Sequence, residues 1–291
     1  MAGQEKSSIN MPLIGAHVST SGGLHTGFQR AVDIGAEATQ IFLSPPQQWA
    51  QKNYSPEDIQ KFKEEHQRTG IGPNFTHGIY LINLATDNPS NLHLAKEWLI
   101  YAQNMADILG LRGTVFHLGS HKGRGFETVK PQVVAAIQKI LEKSPETPYL
   151  ILENSAGAGG SVGGKLSELG ALIKAVNDPR LKVCLDTQHA FVSGYDIRTK
   201  EGVDQLITEF ETEIGIDKLA VIHANDSKTE FNSGKDRHEN IGQGSIGLEG
   251  FRYLVNHPQL TDIPLLLEVP GFEDQGPDKQ NIETMKSLLN S

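Results

Sequence analysis

Nine potential metal ligands stand where strand-like runs of this chain end: His77, His117, Glu153, Asp186, His189, His223, Asp236, His238 and Glu268. Six of them close short apolar stretches: Pro73-Asn-Phe-Thr-His77, Gly113-Thr-Val-Phe-His117, Tyr149-Leu-Ile-Leu-Glu153, Lys182-Val-Cys-Leu-Asp186, Leu219-Ala-Val-Ile-His223 and Pro264-Leu-Leu-Leu-Glu268. Of the other three, His189 follows in the spacing Asp186-x-x-His189, and Asp236 and His238 form the spacing Asp236-x-His238. A carboxylate or imidazole at the end of one buried strand is ordinary. Repeated strand after strand, it lines one rim of one sheet with oxygen and nitrogen donors. Imidazoles with carboxylates and no thiolates suit zinc or manganese. One four-coordinate ion would leave most of these donors idle, whereas three ions, with a bridging carboxylate, use them all.

The elements that position them alternate along the chain. Candidate strands are Leu13–His17, Thr39–Leu43, Ile71–His77, Thr114–His117, Tyr149–Glu153, Lys182–Asp186, Lys218–His223 and Pro264–Glu268. Helical patterns lie between them. The clearest runs from Pro89 to Leu109, with Leu92, Ala95, Leu99, Ala102, Ala106 and Leu109 at three- and four-residue spacing. Asn88-Pro89 supplies its cap and first-turn proline, and Gly110 follows its end. Ser55-Pro56-Glu57-Asp58 opens another with capping-box spacing, closed by Gly70. Eight strands with following helices predict an α/β fold, a single (β/α)8 TIM barrel over residues 12–291, preceded by a flexible lead-in over 1–11. Continuous apolarity in the strands agrees, because a parallel sheet is buried on both faces. The alternative is a doubly wound open sheet. It needs a glycine-rich fingerprint after the first strand, and Ile14-Gly-Ala-His17 does not supply one. No nucleotide cofactor is therefore expected.

At 291 residues the chain is long for one domain but ordinary for such a barrel. Its single cysteine, Cys184, excludes a disulfide framework and sits in an apolar run, so a buried inert thiol in a reducing cytoplasm is expected. Met1 to Asn10 has no apolar core of a signal peptide, and no run is long enough to span a bilayer. The net charge of −9 argues only weakly against a nucleic-acid partner. Three bound divalent cations would add about +6 at the site itself.

Several segments carry a resemblance: Gly15-Ala-His-Val-Ser19, Tyr80-Leu-Ile-Asn-Leu-Ala85, Phe116-His-Leu-Gly-Ser-His121, Leu152-Glu-Asn-Ser-Ala-Gly157, Cys184-Leu-Asp-Thr-Gln-His-Ala-Phe191, His223-Ala-Asn-Asp-Ser-Lys228 and Asp236-Arg-His238. Together they resemble the endonuclease IV family, zinc-dependent apurinic/apyrimidinic endonucleases of DNA base-excision repair. The likeness runs from about Leu13 to Glu268. It implies three zinc ions per chain: one on His77, His117 and Glu153; a second on Glu153, Asp186, His223 and Glu268; a third on His189, Asp236 and His238. Manganese or iron could occupy some of these positions. It also implies hydrolysis of the phosphodiester 5′ of an abasic site in duplex DNA, leaving a 3′-hydroxyl and a 5′-deoxyribose phosphate. The nucleophile would be a metal-held hydroxide, with Glu153 as the bridging carboxylate. Family members flip the lesion nucleotide out of the helix, which here assigns DNA contacts to Gln47, Tyr80 and Leu81. A monomer is expected.

Two departures stand out. Gln47 occupies the place of an arginine in the family's best-known members, and Val269 follows Glu268 where threonine is usual. The rival reading is a metal-dependent sugar isomerase or epimerase of the related barrels, which need only a set such as Glu153, Asp186, His223 and Glu268. The five further donors favour phosphodiester hydrolysis. A non-catalytic DNA-binding barrel has no need of a bridging carboxylate. Of the remaining histidines, His25, His66, His93 and His257 fall in helical segments. His17 and His121 lie near the rim, with supporting or phosphate-contacting roles expected.

Overall fold

The computed structural model describes residues 11–290, so the expected lead-in lies, except for Met11, outside the described residues. In chain order the elements are β1 (Ile14–His17), α1 (Thr26–Ile34), β2 (Thr39–Phe42), α2 (Pro56–Thr69), β3 (Asn74–His77), α3 (Pro89–Leu109), β4 (Gly113–His117) and α4 (Phe126–Glu142). The second half continues with β5 (Tyr149–Glu153), α5 (Leu166–Val176), β6 (Leu181–Asp186), α6 (Thr187–Ser193), α7 (Lys200–Glu213), β7 (Leu219–His223), β8 (Asp226–Ser227), β9 (His238–Glu239), α8 (Gly247–Val255), β10 (Leu265–Leu267) and α9 (Lys279–Ser287). Eight strands close in the order β1-β10-β7-β6-β5-β4-β3-β2, and each neighbouring pair is parallel. The fold is a (β/α)8 TIM barrel, as the strand–helix alternation predicts.

The local signals act as expected. Asn88 accepts hydrogen bonds from Ser90 N and Asn91 N at the start of α3, and Gly110 ends it at φ 70°. Ser55 and Asp58 form a reciprocal capping box on α2. Strand boundaries move by a residue or so, with the largest change at β3. It begins at Asn74 rather than Ile71, because Pro73 has no N–H to give a ladder. β10 ends at Leu267, one residue before Glu268, whose N–H donates to Asn225 Oδ1 at 2.7 Å instead of to a strand. The antiparallel ribbon β8–β9 has no counterpart among the strands expected from the sequence.

Two apolar cores result. The larger lies between the sheet and the helices. The smaller fills the barrel with Ala38, Phe75, Val115, Ile151, Cys184, Val221 and Leu266, all without exposed surface. Each large apolar side chain so buried stabilises the fold by about 1.5–3 kcal/mol. Side chains two residues apart on a strand share a face. Two residues beyond those seven are Gln40, His77, His117, Glu153, Asp186, His223 and Glu268. The polar layer is therefore the next inward-facing layer of a packed barrel, at the C-terminal ends of the strands, where barrels carry their chemistry. In β1 the corresponding pair is Gly15 and His17. A Cβ on Gly15 would meet Ala38 O at 2.3 Å and Leu266 Cδ2 at 2.6 Å, so only glycine lets β1 close the ring beneath His17.

Candidate metal centre

Strand register fixes most of the geometry. His117 pairs with Glu153 across β4–β5, and Asp186 pairs with His223 across β6–β7. Glu153 is fully buried at the centre. Its Oε2 lies 3.0 Å from His77 Nε2 and 3.5 Å from His117 Nε2, while its Oε1 lies 2.9 Å from His223 Nδ1 and 3.5 Å from His189 Nδ1. Burial alone would raise the Glu153 carboxyl. The charges of His117 and His223, with hydrogen bonds from His223 and His77, outweigh it and hold the group well below the usual carboxylate range.

Asp186 works twice. It is the N-cap of α6, its Oδ1 accepting from His189 N at 2.8 Å, which is why the Asp-x-x-His spacing sets His189 on the first helical turn beside it. Its Oδ2 accepts from Asn225 Nδ2 at 2.7 Å. Thr187 Oγ1 donates to Asn225 O and accepts from Asn225 N, binding α6 to the segment after β7. Asp236 and His238 come from the long excursion between β7 and α8. Asp236 Oδ2 is 3.3 Å from His189 Nε2, and Asp236 Oδ1 is 3.5 Å from His238 Nε2. The excursion is held by buried Asp226, which accepts backbone hydrogen bonds from Ser227, Gly242, Gly244 and Ile246.

Donor atoms of His77, His117 and Glu153 lie within 4.8 Å of one another, as do those of Glu153, Asp186, His223 and Glu268. Both groupings coincide with two of the three expected from the sequence. The third differs in membership. Asp186, His189 and His238 meet the same limit, and Asp236 stands at the outer side of that pair of histidines. Asp186 therefore adjoins two groups. His189 Nδ1 and His238 Nε2 are buried without a hydrogen-bond partner, a cost of about 1–3 kcal/mol each that a bound cation would remove. Two histidines are already oriented for ligation. His77 Nδ1 is 2.7 Å from Gly78 O and His238 Nδ1 is 3.2 Å from Glu268 O, so each points its Nε2 into the cluster. The residues fit divalent cations.

Of the other histidines, His17 supports the cluster, its Nδ1 3.1 Å from Glu268 Oε1. His121 has a local role instead: its Nδ1 accepts from Gly123 N and Gly125 N and shapes its own loop. His66 stacks on Phe28 and His257 faces Asp204. The Cys184 thiol is buried on the cluster's floor, and burial pushes it up to about 12, where it is inert. Sequence reading missed Gln40, Asn154 and Asn225. Asn154 Oδ1 accepts from Asp186 N at 2.6 Å. Gln40 was legible as a polar residue inside a buried strand, in step with the other inward positions.

The layer opens into a cleft of about 1120 Å³, walled by His17, Phe42, Ser44, Lys52, Tyr80 and Arg237 among others. A second hollow of about 760 Å³ adjoins it across Tyr80, His117, Asp236 and Arg237, and adds Leu81, Lys122 and Lys235. Tyr80 is 60% exposed and stands edge-on over Phe42, with ring centroids 5.7 Å apart. Its backbone N–H donates to Pro46 O at 2.9 Å, which joins the loops after β2 and β3. Gln47 is exposed on the first of those loops and lines neither hollow.

A family model described as a xylose isomerase-like TIM barrel matches residues 28–290. A protein of Halothermothrix orenii named probable endonuclease 4 is 38% identical over 274 residues, covering 94% of this chain and 99% of its own. The chain belongs to the endonuclease IV family. The crystal structure of endonuclease IV from Thermus thermophilus superposes with a TM-score of 0.84 at 29% identity, over 95% of this chain and 98% of that one. A D-tagatose 3-epimerase-like protein superposes at 0.72 with 18% identity, covering 95% of each chain, and shares the fold alone. No helix among the described residues is long and apolar enough to cross a membrane.

In this endonuclease IV relative, metal uptake should be coupled to protons. Burial lowers the His189 ring, but the charge of Asp186, the hydrogen bond to Asp236 and the charge of Glu153 outweigh it and push the group up to about 10. The metal-free ring is thus protonated at neutral pH, and a ligand ring must be neutral. Zinc loading at pH 7 is expected to release at least one proton per chain, and apparent affinity should fall as pH falls. Calorimetric titration in buffers of different ionisation heat reads this directly. A binding heat independent of buffer contradicts it.

Proposed function

We propose that this protein is a DNA base-excision-repair endonuclease that hydrolyses the phosphodiester 5′ of an abasic site in duplex DNA, leaving a 3′-hydroxyl and a 5′-deoxyribose phosphate. The observation that carries the reading is the convergence of nine donors at one end of the barrel, six from the inward layer and three from α6 and the excursion after β7, five more than an isomerase-type set uses. Membership of the endonuclease IV family supports it. His77, His117 and Glu153 would hold one zinc ion, Glu153, Asp186, His223 and Glu268 a second, and His189, Asp236 and His238 a third. Such ions supply a water-derived nucleophile at neutral pH and neutralise charge developing on the phosphate.

The chain's own residues do the rest. Glu153 lies between the first two donor sets and would serve both. Asp186 fixes His189 through its cap, and the Asp226-anchored excursion brings Asp236 and His238 beside them. No protein nucleophile is required, and the one thiol at the site is unreactive. Lys52, Lys122, Lys235 and Arg237 on the cleft walls would meet phosphates, which compensates locally for the acidic overall balance. The deciding experiment is incision of a duplex carrying a single abasic site, with an intact duplex as control. Ketose–aldose interconversion without incision would establish the isomerase alternative.

Three substitutions carry expectations for single residues. Asp236→Asn removes a charge that the nearby His189 ring holds at about 2, against burial that would raise it. It should weaken retention of one metal and lower turnover more than DNA affinity; elemental analysis and a binding titration separate the two. Tyr80, at the shared wall of both hollows, and Leu81, in the second, would fill the gap left by an extruded nucleotide. Tyr80→Ala should weaken abasic-duplex binding by about 1–3 kcal/mol, the worth of one base–aromatic stack. Gln47 can fill space and hydrogen-bond but lacks arginine's charge and stacking plane, so Gln47→Arg should tighten binding. Equal affinities of wild type and Tyr80→Ala, at fixed salt with metals bound, would remove Tyr80 from the lesion contact.

A further inference from the structure

The second donor set depends on which nitrogen of His223 carries a proton, and a neighbouring side chain decides that. Gln40 has no exposed surface and lies in the same inward layer. Its Nε2 donates to Glu268 Oε1 at 2.6 Å and lies 3.0 Å from His17 Nδ1. An ionised carboxylate only accepts, so this contact fixes the orientation of the amide. Gln40 Oε1 must then face His223 Nε2, 3.0 Å away, and an amide oxygen needs a donor there. His223 Nδ1 is left pointing at Glu153 Oε1, 2.9 Å away, and Glu268 Oε2, 3.2 Å away.

We propose that Gln40 is the positioning residue of this site: it holds His223 with a proton on Nε2 and keeps Nδ1 as the nitrogen offered to a divalent cation. The assignment rests on the metal reading above. His77 and His238 are set by backbone carbonyls, which no substitution removes. His223 is set by a side chain, so its orientation can be tested. Gln40 also couples the two ends of one donor set, because the same amide that orients His223 holds the Glu268 carboxylate. Loss of such outer partners typically costs 10–100-fold in metal affinity.

The test uses the full-length protein loaded with zinc alone and labelled with ¹⁵N in its histidine rings. In wild type, His223 Nε2 is expected to carry a proton protected from exchange, with Nδ1 shifted by zinc. Gln40→Leu keeps the bulk but removes both hydrogen-bonding groups. It is expected to hold one zinc about 10–100-fold less tightly in competition with a chromophoric chelator, while its circular dichroism shows the barrel intact. An unprotonated Nε2 in wild type overturns the proposal, even should the variant fail to fold. A folded Gln40→Leu with wild-type zinc affinity overturns it as well. A wild-type protein that binds no zinc sinks the metal reading itself, an outcome distinct from either.

Discussion

Removal of Glu153's charge is expected to lower single-turnover incision of an abasic duplex by about 10²–10⁴-fold in the Glu153→Gln variant, a loss of several kcal/mol of transition-state stabilisation. The glutamine keeps the shape, and the side chain is sealed beneath four imidazoles, so packing changes little. What changes is electrostatic. His77, His117, His189 and His223 all lie within 3.5 Å of this one carboxylate, which belongs both to the group with His77 and His117 and to the group with Asp186, His223 and Glu268. A neutral amide cannot balance cations there, and its NH2 group would face imidazole nitrogens that are needed as ligands. Incision is the first readout and far-ultraviolet circular dichroism the second. A variant that folds normally and incises at the wild-type rate would show that the dinuclear arrangement around Glu153 is not the catalytic one.

Metal content should have an effect of similar size. Purified protein is expected to contain close to three divalent ions per chain and to incise without added magnesium. Exhaustive chelation should abolish incision, and zinc should restore it. Stability should follow in parallel. A ligand that binds only the folded state stabilises it by about 3–4 kcal/mol per site when its free concentration is 10²–10³ times its dissociation constant. The metal-free layer also leaves His189 Nδ1 and His238 Nε2 unpaired, so chelation should lower the melting temperature by several degrees. One ion per chain, with incision unaffected by chelation, would contradict both the stoichiometry and the chemistry.

Much of this was legible in the amino-acid order because barrels impose a simple code. A strand buried on both faces must be apolar, so a histidine or acid at its C-terminal end stands out against Val, Ile and Leu. Tyr149 to Glu153, Lys182 to Asp186 and Leu219 to His223 could each be read this way. The Asp186-x-x-His189 spacing was likewise local, since an N-cap and the residue three positions on belong to one helical turn. Helix limits at Asn88, Gly110, Ser55 and Gly70 followed from capping chemistry for the same reason.

What the order of residues could not supply was the lateral geometry. Gln40 carries no metal-ligand signature, and only strand register puts its amide between Glu268 and His223, 228 and 183 residues away. Asp186's place beside two donor groups needs the β6–β7 pairing and the position of His238 together. The excursion carrying Asp236 and His238 has no periodicity to read, because its shape is set by hydrogen bonds onto buried Asp226 rather than by an apolar face. The sequence by itself determined which chemical groups each strand delivers to the rim and to what depth. Only the closed barrel decided which of them meet, because hydrogen-bond register and ring closure, not local propensity, set distances between residues hundreds of positions apart.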